Sequence, residues 1–283
     1  MLPRVAARRG ESYNTPMNPI DALFARLRSQ NRKAFIPFLP AADPDLAFTA
    51  AALPAVASAG ASLIELGVPF SDPIADGPVI QASYTRALRG GFKLDAMFDA
   101  VKGITSGPAW ATPVVAMGSY SLVHKRGPER FIGDCLAAGI HGAVVPDLPV
   151  EEADELSKRC RDRDFKLILL VTPTTAPARM AKIAAACGGF VYVVSVVGVT
   201  GQRAAAAETV AAVTSKLRTM TDLPLCVGFG VSKPEHVREL APVCDGVIVG
   251  TALVTHLEKA AEGREQALAA ITEQVRELSG ALG

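Results

Sequence analysis

Residues 34–39 read Ala-Phe-Ile-Pro-Phe-Leu, a short apolar run that suits a buried β-strand. Seven more runs of this kind follow, and helix-like stretches separate them. They are Ser62–Leu66, Pro113–Met117, Gly142–Val145, Lys166–Val171, Phe190–Ser195, Leu225–Phe229 and Gly246–Val249. Parallel strands that are buried on both faces have this continuous apolar pattern. Eight β/α units in 283 residues predict an α/β fold, a single (β/α)8 TIM barrel.

An extra helix is predicted before the first strand. Asn18 suits the N-cap and Pro19 the first helical position, and apolar residues then recur at helical spacing. We therefore expect a flexible N-terminal tail over residues 1–17 and one catalytic barrel domain over 18–283. Helices between the strands are predicted at Leu46–Ala59, Gly127–Ala138, Glu151–Arg163, Ala204–Leu217 and Pro234–Leu240, with a final helix that carries Leu268, Ile271, Val275 and Leu278 on one face.

The composition excludes several classes of protein. Lys and Arg number 29 against 28 Asp and Glu, so no basic face for nucleic acid is expected. No apolar run reaches the roughly 18 residues that a membrane span needs. The five cysteines are scattered without a C-x-x-C pair, which indicates reduced, buried thiols and a cytoplasmic protein.

The carboxyl end of the second strand carries the most informative residue. Glu65 interrupts an apolar run, where a carboxylate is costly unless it is paired, solvated or protonated. Such a position favours a raised pKa, which suits a group that must give and take a proton near neutral pH. Asp76 follows eleven residues later, beyond a loop with three prolines that can fold back over the barrel mouth; Asp72 is a third acid there. The alternative to a catalytic role is that Glu65 only bonds a neighbouring polar group, and that Asp72 and Asp76 are solvated acids of the loop.

Glycine-rich stretches follow the last three strands and predict a phosphate site. They are Gly198–Gly201, Gly228–Ser232 and Gly250-Thr251. Barrels often bind phosphate at the loops after strands seven and eight through backbone N–H groups, which glycine lets approach closely. Ordinary tight turns are the alternative. The Gly198–Gly201 loop is a candidate lid.

Other catalytic groups are missing from the predicted strand ends. Lys33 and Lys166 lie at strand starts, and the four histidines have no metal-ligand spacing. Acid–base chemistry by carboxylates remains, without a metal. Such a site needs a substrate that supplies its own electron sink.

The segment Ile64–Pro78, Ile-Glu-Leu-Gly-Val-Pro-Phe-Ser-Asp-Pro-Ile-Ala-Asp-Gly-Pro, closely resembles the signature of the tryptophan synthase α-subunit family. Val144–Pro149, Gly198–Gly201 and Val227–Ser232 match further motifs in the same order, and the resemblance extends from about Asn18 to the end. It implies a lyase that splits indole-3-glycerol phosphate into indole and glyceraldehyde 3-phosphate by a retro-aldol reaction.

The resemblance also implies a role for individual residues. Glu65 corresponds to the general acid and base, and Asp76 to the residue that accepts the indole N–H bond. The substrate-binding residues that it implies are Tyr192 at the substrate hydroxyl, Phe38 in the indole pocket, Thr200 in the lid, and Gly201, Gly230, Gly250 and Thr251 at the phosphate.

The family resemblance further implies a partner, the tryptophan synthase β subunit, in an α2β2 assembly. No cofactor is expected on this chain, because pyridoxal phosphate (PLP) belongs to the β subunit. Three segments depart from the family pattern: Pro40–Pro44, Ser119–Leu122 in place of Tyr-Tyr-Asn-Pro, and Val196-Val197. In the family the loop that matches Ser119–Leu122 contacts the β subunit, so an altered interface is expected. Three alternatives stay open: a stand-alone lyase that releases free indole, a weakly active regulatory subunit, and another phosphate-substrate barrel enzyme. The intact Glu65 and Asp76 argue against the second, and the third would leave the Glu65–Asp76 segment unexplained.

Overall fold

The computed structural model describes residues 17–195, 203–228, 230–260 and 262–282. Their strands form one sheet in the order β5-β4-β3-β2-β1-β9-β8-β7-β6, and every pair is parallel. The strands are β1 (Ala34–Pro40), β2 (Ile64–Gly67), β3 (Val114–Met117), β4 (Ile140–Val144), β5 (Lys166–Ile168), β6 (Leu170–Val171), β7 (Val191–Val194), β8 (Leu225–Gly228) and β9 (Gly246–Val249).

The sheet closes on itself at its fifth predicted strand. Only Leu169 separates β5 from β6, so the predicted strand over Lys166–Val171 is present in two pieces. β5 pairs with β4, whereas β6 pairs with β7 on the other side. A strand that crosses a barrel at a tilt can pair with one neighbour in its first half and the other in its second. The barrel prediction is therefore confirmed.

The predicted N-terminal helix is α1 (Pro19–Ser29), and its cap ties it to the barrel. The side chain of Asn18 accepts from the N–H of Ile20 at 2.9 Å and donates to the carbonyl of Asp164 at 2.6 Å. Four apolar residues of α1 are buried: Ile20, Leu23, Phe24 and Leu27. Their burial holds α1 against β4, and the bond from Asn18 to Asp164 ties its start to the residues before β5. Residues 1–16 of the expected tail lie outside the described residues.

Helices surround the sheet and separate its successive strands, as predicted, except at the break between β5 and β6. β2 and β3 are each followed by two of them. The helices are α2 (Leu46–Ser58), α3 (Pro78–Arg89), α4 (Leu94–Thr105), α5 (Tyr120–Arg126), α6 (Pro128–Ala137), α7 (Asp154–Asp162), α8 (Pro177–Ala186), α9 (Arg203–Arg218), α10 (Pro234–Leu240), α11 (Thr251–Val254) and α12 (Arg264–Gly280). Short 3-10 segments cover Val150–Glu152, Ala241–Val243 and Thr255–Lys259.

The core combines the strands with one face of each major helix. Nearly all strand residues are buried, as strands covered on both sides must be. Among the described helices, none has the length and apolar character needed for a membrane crossing. Because all strands are parallel, their carboxyl ends meet at one face of the barrel, which is where barrel enzymes hold their reacting groups.

Candidate active site

Glu65 points into the barrel near the carboxyl end of β2. It is paired in register with Phe38 of β1 and Val115 of β3, and its residue is only 1% exposed. Its Oε1 atom has no hydrogen-bond partner within the described chain. Burial, and next the charge of Asp76, raise the pKa of Glu65 to about 8. The carboxyl group is thus protonated through most of the neutral pH range and remains able to ionise.

Asp76 lies in a turn of the loop that follows β2. Its N–H donates to the carbonyl of Pro73 at 3.1 Å, and its own carbonyl accepts from Nε2 of Gln81 at 2.7 Å. Burial, and next the charge of Asp147, raise the pKa of Asp76 to about 6. The loop therefore folds back as predicted, close enough for the charge of Asp76 to act on Glu65. Pro78 was expected to belong to this loop, but it begins α3, because proline suits the first helical turn.

Phe38 and Tyr192 are buried in the barrel interior, and glycines make room for both. A Cβ at Gly67 would lie 2.6 Å from Cζ of Phe38, and a Cβ at Gly228 would lie 2.3 Å from the hydroxyl oxygen of Tyr192. Both distances are shorter than any real contact of a Cβ atom. Burial, and next the charges of Glu65 and Asp76, raise the pKa of Tyr192 well above its usual value. Tyr192 is therefore a neutral hydroxyl that faces the same two carboxylates.

Tyr84 is a fifth group at this site, and sequence reasoning missed it. It is 2% exposed on α3, and its hydroxyl oxygen lies 2.6 Å from the position of a Cβ at Gly67. Burial, then Asp76 and then Glu65, raise its pKa well above the usual value. The only sequence signal for Tyr84 is its position eight residues after Asp76, which by itself does not indicate that the side chain reaches the site.

An open pocket lies over the carboxyl ends of β2, β3 and β4. Its walls are mostly apolar, with Asp76 and the phenol of Tyr84 reaching into it. The carboxylate of Asp147 on its rim accepts hydrogen bonds from Oγ of Ser119 at 2.6 Å and from the N–H of Tyr120 at 2.7 Å. The pocket is lined by Val68, Phe70, Asp72, Pro73, Ile74, Ala75, Asp76, Tyr84, Met117, Gly118, Ser119, Pro146 and Asp147. Asp147 is already hydrogen-bonded and Asp72 is exposed, which leaves Asp76 as the carboxylate that can accept from a ligand. Mostly apolar walls with such a carboxylate suit a flat aromatic ring that carries one N–H group.

The predicted phosphate residues are only partly described. Gly230 is exposed and has a φ of 77°, a left-handed conformation that glycine adopts without strain. Gly250 is the N-cap of α11, and the exposed Thr251 begins that helix. Phe38 lies 3.4 Å from the position of a Cβ at Gly250, so this turn borders the site. Thr200 and Gly201 lie outside the described residues.

The remaining predicted features are structural. All five cysteines are free, and Cys226 and Cys244 are buried, in keeping with a packing role. Asp72 is exposed and accepts a hydrogen bond from Oγ of Ser71 at 2.5 Å. Within the described ranges, no group of three or more His, Cys, Asp or Glu residues is arranged to hold a metal ion.

Sequence comparisons point to one family. The sequence model for "Tryptophan synthase alpha chain" matches residues 24–282. The tryptophan synthase alpha chain of Rhodopirellula baltica is 50% identical over 247 residues, which cover 87% of this chain and 89% of that protein. The alpha chain of Synechocystis is 47% identical over 268 residues, covering 94% and 100%.

Solved structures agree with the sequence matches. Tryptophan synthase subunit alpha from Legionella pneumophila superposes with a TM-score of 0.86 at 32% identity and covers 94% of this chain and 99% of that one. A chain of tryptophan synthase from M. tuberculosis, in an aminoacrylate-bound form, gives a TM-score of 0.81 at 33% identity and covers 94% and 100%. The protein therefore belongs to the tryptophan synthase alpha chain family, the lyases that cleave indole-3-glycerol phosphate.

Proposed function

We propose that Glu65 and Asp76 together carry out the retro-aldol cleavage of indole-3-glycerol phosphate. The observation that carries this proposal is the state of Glu65: a buried carboxyl group without a partner for Oε1, whose pKa is raised to about 8 beside a second carboxylate. A group with a pKa close to the working pH can both donate and accept a proton at useful rates.

Glu65 alone can carry out both proton transfers of the reaction. Its protonated carboxyl group donates a proton to C3 of the indole, which leaves a positive charge spread over the ring and its nitrogen. The resulting carboxylate then removes the proton from the adjacent side-chain hydroxyl. The bond between C3 and the side chain breaks, its electron pair returns to the ring, and the products are indole and the aldehyde of glyceraldehyde 3-phosphate. Glu65 ends in the protonation state in which it began.

Asp76 is the partner for the charge that appears on the ring. Its carboxylate accepts the indole N–H bond and stabilises the cation that forms when C3 is protonated. Two unit charges about 4 Å apart at an effective dielectric constant near 20 attract each other by roughly 4 kcal/mol. Because this charge exists only along the reaction path, the interaction favours the transition state over the bound substrate.

The protonated indole also explains why the chain needs no cofactor in this proposal. A ring nitrogen that takes up the electron pair of the broken bond replaces the Schiff-base lysine or metal that other carbon–carbon lyases use. The expected cofactor, PLP, then belongs to the β subunit alone.

The other predicted residues bind the substrate. Phe38 packs against the indole, and the hydroxyl of Tyr192 donates to the side chain of the substrate. The phosphate contacts the backbone at Gly230 and Gly250 together with the hydroxyl of Thr251, with Gly201 as a further contact and Thr200 in the lid. The turn at Gly250 supports this assignment, because it borders Phe38 and therefore lies at the edge of the proposed indole pocket.

We further propose that the chain acts as one barrel unit from Asn18 onward, in the cytoplasm, and passes indole to a β subunit in an α2β2 assembly. The rim of the pocket supports a partner surface there. Ile74 is 84% exposed, between two acids of the loop after β2. Ser119 lies on the same rim, where it bonds Asp147. The segment Ser119–Leu122 was expected to be a loop, but Ser119 is the N-cap of α5 and the next three residues are helical.

The decisive experiment is indole formation from indole-3-glycerol phosphate by the purified chain, measured with and without a tryptophan synthase β subunit. Indole formation that rises when the β subunit is added, with co-elution of the two chains on gel filtration, supports both parts of the proposal. Indole formation without co-elution or stimulation would favour the stand-alone lyase instead. A chain that forms no indole under either condition contradicts the proposed chemistry.

A further inference from the structure

Tyr84 brings a hydroxyl group to the inward face of β2, just above Glu65. A Cβ at Gly67 would lie 2.6 Å from the hydroxyl oxygen of Tyr84 and equally close to the ring of Phe38. Gly67 follows Glu65 by two residues, so both point to the same side of the sheet, about 6.5 Å apart along the strand. The phenol of Tyr84 therefore ends over the catalytic carboxyl group and beside the predicted indole-binding ring.

A buried network holds Tyr84 in this position. The carboxylate of Asp43, in the loop after β1, accepts from Oγ of Ser83 at 2.5 Å and from Nε and Nη2 of Arg86 at 3.0 and 2.7 Å. Ser83 and Arg86 flank Tyr84 on α3, so the network prevents this turn of the helix from rotating. The side chain is preorganised on a rigid element, as a residue that positions a ligand has to be.

The hydroxyl group of Tyr84 is unused inside the protein. It makes no hydrogen bond to any residue in the described ranges, and its side chain lines the open pocket next to Asp76. The ring of Tyr84 is buried, but its hydroxyl oxygen is not among the fully buried atoms that lack a partner, so it is reached from the pocket. A ring that served only to fill the core would need no hydroxyl, and phenylalanine would pack equally well there.

We propose that Tyr84 is a substrate-contacting residue whose hydroxyl donates a hydrogen bond to the bound substrate between Glu65 and Asp76. This rests on the proposed function, which places the substrate between those two carboxylates. Burial and the charges of both carboxylates keep the phenol protonated, so it remains a neutral donor at every pH where the enzyme works. Tyr192 offers a second neutral hydroxyl from β7, within reach of the charges of the same two carboxylates.

The test compares the chain with its Tyr84→Phe variant, in which only the hydroxyl is lost. We expect kcat/KM for indole formation to fall roughly three- to tenfold, which is the loss of one hydrogen bond, mainly through a higher KM. The melting temperature and the pH at which the rate is half-maximal should stay as they are. Thr214→Val is the matched control, because the Thr214 hydroxyl is buried on α9 and donates to the carbonyl of Val210, away from the site.

A binding measurement separates this inference from the proposed chemistry. Calorimetry with indole-3-glycerol phosphate on Glu65→Gln, with and without Tyr84→Phe, measures contact without turnover. A matching loss of affinity in the double variant supports Tyr84 even if the roles of Glu65 and Asp76 prove wrong. Unchanged affinity and unchanged kcat/KM overturn the proposal. A shifted pH profile with unchanged affinity also overturns it, because the hydroxyl would then act on a carboxylate.

Discussion

Two buried carboxylic acids at the barrel mouth have opposite surroundings. Asp43 follows β1 and Glu65 lies on β2, the next strand in the sheet, and each residue is 1% exposed. Asp43 accepts three hydrogen bonds from Ser83 and Arg86, whereas Oε1 of Glu65 has no partner. Equal burial therefore leads to opposite chemistry. A carboxylate whose oxygens accept hydrogen bonds within the protein stabilises the fold. A carboxyl group whose oxygen has no such partner remains available for proton transfer.

Removing the acid of Glu65 should have the largest effect on activity. We expect Glu65→Gln to lower indole formation about a thousandfold or more, because the amide neither donates nor removes the proton. The fold should persist, since no hydrogen bond to Oε1 is lost. Steady-state kinetics and the melting temperature test both statements, with Glu265→Gln on the surface of α12 as the control. Near-normal turnover by Glu65→Gln would refute the assigned role.

Asp76→Asn should cause the second largest loss of activity. Losing the negative charge beside the indole nitrogen removes transition-state stabilisation of roughly 3–4 kcal/mol, which corresponds to a loss of about two to three orders of magnitude in kcat. KM should change far less than kcat, because the charge on the ring appears only during the reaction. If KM rises while kcat is retained, Asp76 serves to bind the substrate and the proposed charge stabilisation is wrong.

Asp43→Asn should have the opposite effect to the two preceding variants, because it should lower stability more than activity. The variant leaves the guanidinium of Arg86 without its charged partner, and we expect the free energy of unfolding to fall by about 2 kcal/mol. This figure is below that of a fully buried pair, because the Arg86 side chain is 34% exposed. Urea unfolding measures the change, and kcat should fall much less than in Glu65→Gln. A variant with unchanged stability but no activity would remove the distinction between the two acids.

A dependence of stability on pH should also follow from the burial of Glu65. Glu65 is protonated up to a pKa of about 8 in the folded chain but ionises near 4.5 when unfolded. The folded state therefore binds the extra proton, and its stability falls as the pH rises from about 4.5 to 8. The wild type should lose up to about 4 kcal/mol relative to Glu65→Gln between pH 5 and pH 8.5, measured by urea unfolding. Parallel curves for the two proteins would show that Glu65 is not buried as an acid.

The sequence was sufficient for features that depend on local pattern. The eight apolar runs predicted the strands because buried parallel strands must be apolar along their whole length, and Asn18-Pro19 marked the start of α1. Glu65 could also be recognised, because an acid in such a run stands out. The break at Leu169 could not, since Lys166–Val171 is one apolar run and the break depends on which neighbour each half meets.

Only the tertiary structure brought Tyr84 into the site. In the chain, Asp43, Glu65 and Tyr84 are separated by about twenty residues each and share no motif. Their proximity comes from the parallel pairing of β1 with β2 and from the hydrogen bonds of Asp43 to Ser83 and Arg86 on α3. Local residue pattern determines which elements form and which acid is out of place. Long-range packing decides which polar groups find partners, and therefore which remain free to react.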